Sequence, residues 1–237
     1  MTTMSMHGTV GYAALWVTDP ERAATFFATA LGWSYSEETP QHRMVADASP
    51  PQSIVSLTAL PAGVWDAWPR HNTMFLSHAV DDVDAAVERI RSAGGRAEDP
   101  VDTGNGRSAS CTDDQGLPFA VHQGDARGDD RLAYLTFEVA DSARARAFFG
   151  AVFGWTFSSG SHDDGWQVDE MYPKAGLHGG HQQPTVVPMY AVDDIEATVT
   201  RVRAAGGTAT DPDRQPYGLA SSCADDQDTR FYLGQLA

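Results

Sequence analysis

Four times along the chain a short, strand-like run gives way to apolar residues spaced by three and four. The runs are YAALWVTD (12–19), FLSHAVDD (75–82), YLTFEVAD (134–141) and VPMYAVDD (187–194). A short apolar run closed by turn residues reads as a buried strand, and a period near 3.6 predicts a helix with one buried stripe. Asp19, Asp82, Asp141 and Asp194 each stand where an N-cap carboxylate accepts from the first free amide donors, and Pro20 follows at the favoured first helical position. Val83, Val87 and Ile90 keep the helical spacing until Gly94-Gly95, and in a later stretch Gly206-Gly207, where glycine supplies a left-handed stop. Short alternating segments bounded by Gly, Pro and Asp follow each helix and read as strands and hairpins. The predicted unit is β-α-β-β-β, four times over.

The units come in pairs. VDDVDAAVERIRSAGGRAEDP (80–100) returns as VDDIEATVTRVRAAGGTATDP (192–212), an offset of 112. Upstream, TDPERAATFFATALGWSYS (18–36) matches ADSARARAFFGAVFGWTFS (140–158) at an offset of 122. The first copy therefore carries ten extra residues between these blocks, expected among the stretches PPQ and WDAWPRHN. SCTDDQ (110–115) and SCADDQ (222–227) hold the two cysteines, Cys111 and Cys223, at equivalent positions of the copies, so nothing calls for a bond between them. The predicted domains are residues 1–126 and 127–237, two modules each.

The four strand-to-helix openings, the FFxxxxGW blocks and the GR…DDQG segment before the last strand of a domain resemble the vicinal oxygen chelate superfamily. That group includes glyoxalase I, extradiol dioxygenases and bleomycin-resistance proteins. The resemblance runs from about Gly8 to Leu236 and implies an α+β fold. Four βαβββ modules would form two tandem domains whose mixed sheets curve into cups around a small molecule. Metal-using members place one ligand seven residues before the capping Asp and a carboxylate on the last strand. Those positions are Tyr12, Phe75, Tyr134 and Val187, then Ala120 and Tyr232. None suits a divalent metal, which needs about three His, Cys, Asp or Glu donors converging on one point. The expectation is thus a site without metal or other cofactor. Glyoxalase I activity and extradiol cleavage, which need a metal to polarise or chelate oxygens, are disfavoured. The competing candidate is LHGGHQ, where His178 and His181, helped by Asp169 and Glu170, either bind a metal or form a polar hairpin.

Strand alternation turns Tyr12, Ala14 and Trp16 toward the first cup, and Tyr134, Thr136 and Glu138 toward the second. Glu138 is a carboxylate among apolar neighbours. Desolvation there would raise its pKa and suit it to proton transfer, unless it pairs with a residue like Arg107 or lies at an exposed strand end. The expected catalytic set is Glu138, Asp169, Glu170 and His178. The expected ligand contacts are Tyr12, Trp16, Arg107, Tyr134, Thr136, His181, Tyr217 and Tyr232. The second domain carries more of the titratable groups and is the favoured site. The cysteines, each between Ser and a small residue, read as small strand residues and not as nucleophiles.

Composition narrows the partners. Thirty-two acidic residues against 16 basic ones give a net charge of −16, which repels nucleic acid and anionic membrane surfaces. The acids are spread along the chain, consistent with solubility. MTTMSMHGTV has no basic segment followed by an apolar one, and no run nears the roughly 18–20 apolar residues of a membrane span, so a cytoplasmic location is expected. Four modules in one chain supply internally what single-domain relatives reach by pairing, which allows a monomer or a homodimer. The functional expectation is a metal-independent enzyme acting on a hydrophobic or aromatic metabolite by acid/base chemistry, through isomerisation, cyclisation or ring opening. The alternative is a protein that sequesters a cationic drug, as bleomycin-resistance proteins do. A metalloenzyme centred on His178 and His181 is the third reading.

Overall fold

The computed structural model describes residues 7–68, 70–104, 106–124 and 131–237. The expected boundary between residues 126 and 127 lies outside the described residues. In the first copy the chain runs through β1 (Val10–Val17), α1 (Pro20–Leu31), β2 (Tyr35–Thr39), β3 (His42–Val45) and β4 (Gln52–Ser56). It continues through β5 (Thr73–Val80), α2 (Val83–Ser92), β6 (Arg96–Ala97), β7 (Val101–Thr103), β8 (Gly106–Thr112) and β9 (Pro118–Gln123). The second copy repeats this as β10 (Leu132–Glu138), α3 (Ser142–Phe153), β11 (Phe157–Ser159), β12 (Gly165–Val168) and β13 (Lys174–His178). Its last module is β14 (Thr185–Ala191), α4 (Ile195–Ala204), β15 (Thr208–Ala209), β16 (Asp213–Gln215), β17 (Gly218–Ala224) and β18 (Arg230–Leu236).

All four helices start as their sequence dictates. Asp19 and Asp141 each accept from two amides of the first turn, and Asp82 and Asp194 from one. Such caps each contribute about 1 kcal/mol. Gly94 and Gly206 follow α2 and α4 in the left-handed conformation, both at φ 92°.

Each copy forms one nine-stranded mixed sheet. The first runs β2-β3-β4-β1-β5-β9-β8-β6 with β7 also on β8, and the second repeats that order strand for strand. One face of each sheet packs under the helices. There α1 lies against α4 and α2 against α3, so a single apolar core spans both copies. The paired phenylalanines of the FFxxxxGW blocks reach across: Phe27 meets Phe231 at 5.5 Å, and Phe148 meets Phe119 at 6.3 Å.

The repeated hexapeptides clasp this joint. Within each copy Asp113 or Asp225 accepts two backbone amides of its own turn. Gln227 then bonds both the N–H and the carbonyl of Asp19, while Gln115 does the same to Asp141. Arg22 pairs with Asp226 at 2.7 Å and Arg144 with Asp114 at 2.8 Å. Cys111 and Cys223 are free, buried thiols on the helix-facing side. Burial pushes the Cys111 thiol up to about 12 and raises that of Cys223, which removes the thiolate a nucleophile needs.

Candidate functional site

Strand register lays the cup face of the second sheet out in rows. Tyr134 of β10 stands beside Lys174 of β13 and Met189 of β14, and Met189 beside Tyr232 of β18, which faces Ser222 of β17. The next row holds Gly176, Thr136 and Val187, and the third His178, Glu138 and Thr185. One end of this cup is therefore aromatic and the other charged. The Tyr134 ring leans over Gly176, where a Cβ would collide with its hydroxyl, and that hydroxyl donates to Gln167 Oε1 at 3.0 Å. Tyr217, 47% exposed in the turn before β17, stands close enough to Tyr134 and Tyr232 for their charges to interact. Burial raises the pKa of all three phenols, so they stay neutral donors.

The same rows in the first cup end in a plug. Sixteen residues, 57–72, link β4 to β5, where six, 179–184, link β13 to β14. The extra residues of the first copy thus fall in the 57–72 link that ends in WDAWPRHN and not at PPQ, which leads into β4. Trp65 and Trp68 from this link drop onto the cup face. Trp16 stacks on Phe75 at 4.1 Å and meets Trp65 at 5.0 Å and Trp68 at 5.5 Å. The Trp65 indole N–H donates to the Cys111 carbonyl at 2.9 Å. Register equates Trp16 with Glu138, Val55 with His178 and Phe75 with Val187. The copies' DDQGLPF and DDQDTRF segments equate Pro118 with Arg230. Glu138, His178 and Arg230 of the second cup's end thus have apolar counterparts in the first. Trp16, expected as a ligand contact, is only 3% exposed and anchors this plug. Tyr12 faces the cup as expected but is largely covered, bonded to Ser53.

Glu138 is 5% exposed and is not a lone carboxylate. The Arg230 guanidinium bonds its Oε2, and His181 Nδ1 lies 3.3 Å from the same oxygen. His181 Nε2 lies 2.7 Å from His178 Nδ1. Burial is the largest influence on His181 and lowers its pKa; Glu138 opposes that shift, while His178 and Arg230 add to it. At this end a cleft of about 580 Å³ opens between the copies, with Thr18 and Asn72 on one wall and Glu138, His181, Gln182 and Arg230 on the other. The strands therefore bring together Tyr134, Thr136, Glu138, His178, His181, Tyr217 and Tyr232.

The remaining expected residues stand elsewhere. Arg107 shares the helix-facing side of β8 with Ala109 and Cys111, and it grips Asp84 at 2.7 Å and Asp102 at 3.3 Å. Alternation turns it away from the cup. Asp169 and Glu170 occupy the turn after β12, beside the Val168–Ala175 pair, whereas His178 pairs with Gly165 at the other end of those strands. Three residues of strand separate them, about 10 Å. Asp169 accepts from Ser158, and Glu170 is exposed. Arg230 is the residue that sequence reasoning missed. It lies two residues before Tyr232 on β18, and the same alternation points it into the cup.

Metal ligation does not fit this donor set. The family's ligand positions hold Tyr134, Val187 and Tyr232. His178, His181 and Glu138 are strung in line, with both His181 nitrogens facing partners and a guanidinium on the carboxylate. Among the described residues no group of three His, Cys, Asp or Glu converges on one point.

Comparison with known proteins agrees with the architecture. The family described as Glyoxalase/Bleomycin resistance protein/Dioxygenase superfamily matches residues 9–121 and 131–231. A Mycobacterium tuberculosis (strain CDC 1551 / Oshkosh) protein with the provisional name glyoxylase CFP32 is 28% identical over 219 residues, 84% of this chain and 83% of its own. The anthracycline biosynthesis protein DnrV of Streptomyces peucetius is 29% identical over 176 residues, 67% of this chain and 64% of its own. The Mn(II)-bound glyoxalase from Novosphingobium aromaticivorans superposes with a TM-score of 0.74 at 17% identity, over 97% of this chain and 82% of that one. Homoprotocatechuate 2,3-dioxygenase from Brevibacterium fuscum gives 0.70 at 16% identity, over 98% and 82%. At such identities these two structures share the fold alone. With both copies matched along nearly their whole length, the chain belongs to the glyoxalase, bleomycin-resistance protein and dioxygenase superfamily.

Proposed function

We propose that the C-terminal cup binds a flat, largely apolar small molecule and moves a proton on it without a metal. The observation that carries this reading is the contrast between the two cups. Identical registers hold a tryptophan plug in one copy, and in the other an aromatic wall running into a buried Glu138–Arg230 pair with two histidines. Neutral phenols at Tyr134, Tyr217 and Tyr232 suit a polycyclic ligand with oxygen substituents, through ring contact and hydrogen bonds. The similarity to an anthracycline biosynthesis protein supports the same ligand class, since anthracyclines are flat polycyclic aromatics. The imidazoles supply nitrogens that can accept or donate a proton. Isomerisation, cyclisation and ring opening are all reached by one proton removed and one returned.

The test is to incubate the protein with a panel of hydroxylated polycyclic aromatics and follow binding by tryptophan quenching and the ligand by mass. The reading expects binding that Tyr134→Ala and Tyr232→Ala weaken at least tenfold, with a product that disappears in His178→Gln. Binding of an unchanged ligand would favour sequestration, which the net charge of −16 supports for a cationic ligand. Binding that survives both tyrosine changes would sink the proposal.

A further inference from the structure

Arg230, Glu138, His181 and His178 are linked by successive contacts, and the atoms that face one another restrict where the protons sit. His181 Nδ1 is 3.3 Å from Glu138 Oε2. A bare Nδ1 would set its lone pair against a carboxylate oxygen, so the contact favours a hydrogen on this nitrogen. A doubly protonated His181 is opposed by burial and by Arg230, which already compensates the Glu138 charge. His181 Nε2 therefore presents a lone pair to His178 Nδ1, 2.7 Å away. A contact that short needs a proton, and only His178 can supply it. In its neutral form His178 then has a bare Nε2, on the ring that stands in the Glu138 row of the cup face. Asp164, bonded to Ser142 and Trp166, is another charged group near His178.

From this geometry we infer that Glu138 is a positioning carboxylate, and that the proton acceptor the cup offers its ligand is Nε2 of His178. The inference rests on the proposed function and gives each group in it a separate task. A ligand O–H or activated C–H gives its proton to His178 Nε2. The imidazolium so formed donates through Nδ1–H to His181, and His181 donates to the Glu138 carboxylate. The ligand keeps the electron pair of the broken bond, nothing is oxidised, and the same proton can return to another ligand atom from Nε2. Arg230 bonds the same Glu138 oxygen that faces His181, so Glu138 orders the chain without itself trading protons with the ligand.

The experiment reads the protons directly. Whole protein labelled with 15N in its histidine rings is examined by long-range 1H–15N NMR at pH 7.5 without ligand, and His178→Asn and His181→Asn assign the signals. The expected result is two neutral rings, each protonated at Nδ1 and bare at Nε2. A His178 ring carrying its hydrogen on Nε2, or a doubly protonated His181, overturns the inference. Glu138→Gln supplies the second reading. Its amide can donate as well as accept, so the two rings should then populate both tautomers, and an unchanged single order would show that Glu138 does not set it. Ligand is absent throughout, so a wrong tautomer sinks the relay while leaving ligand capture by the tyrosines intact. Failure to find a ligand leaves the relay readable.

Discussion

Arg230 and His78 carry the two residue-scale arguments. Removing the cation from a buried carboxylate costs more than removing both partners, because the charge left behind keeps its desolvation penalty. Arg230 is half-exposed, which softens that penalty. Arg230→Leu should therefore cost about 1–3 kcal/mol in chemical denaturation, and adding Glu138→Leu should restore part of the loss. A double variant less stable than the single one would refute this account. His78 is fully buried among Phe137, Phe153 and Trp155, with Nδ1 on the Gly8 carbonyl. Burial pulls its pKa from 6.5 down to about 4. The neutral ring's contribution is thus complete above pH 6.5 and is lost as pH falls toward 4, to the extent of about 3 kcal/mol. Asp113 pulls the other way, since burial raises it to about 6 and protonation favours the fold. Comparing wild type with His78→Phe cancels Asp113. The stability of the variant should fall less steeply between pH 6.5 and pH 4.5, and parallel curves would contradict the assignment.

At the scale of elements, caps and periods were legible because they depend on neighbours in sequence. Asp19, Asp82, Asp141 and Asp194 cap the helices they were expected to cap. The offset change announced an insertion, but not that Trp65 and Trp68 fill a cup, since a linker's reach depends on strands that pair far along the chain. Arg230 was hidden for a simpler reason. Tyr232 was recognised, and continuing its alternation two residues back would have found the guanidinium opposite Glu138. Arg107 was misplaced by one step of the same alternation, because the position of Cys111 facing the helices had not been fixed. The insertion itself makes a sharp prediction. Truncating a buried indole leaves a cavity, so Trp65→Ala should destabilise the protein by about 3–5 kcal/mol, measured by the denaturant midpoint. It should also leave the charged end of the second cup untouched, because no Trp65 contact reaches Glu138. A loss near zero would mean that the link is not packed onto the cup face.

Across the whole molecule, the two copies are joined through the elements they share. Two domains that merely touch would unfold separately. Here the core is continuous through α1–α4 and α2–α3, and each copy's DDQ turn holds the helix start of the other. The Arg22–Asp226 and Arg144–Asp114 pairs are largely exposed and add specificity more than stability. The glutamine clasps satisfy backbone groups, and their net worth is about 0.5–1.5 kcal/mol per hydrogen bond. Gln115→Ala and Gln227→Ala each remove two such bonds from separate places, so their costs should add within about 0.5 kcal/mol. The instructive part is how they add. If the shared core makes one cooperative unit, calorimetry shows a single transition whose midpoint drops in each single variant and further in the double one, with calorimetric and van't Hoff enthalpies agreeing. Two resolved transitions, with only one moving in each single variant, would mean that the copies fold independently. The plugged cup would then be free to drift from the cleft that its Thr18 and Asn72 help to line.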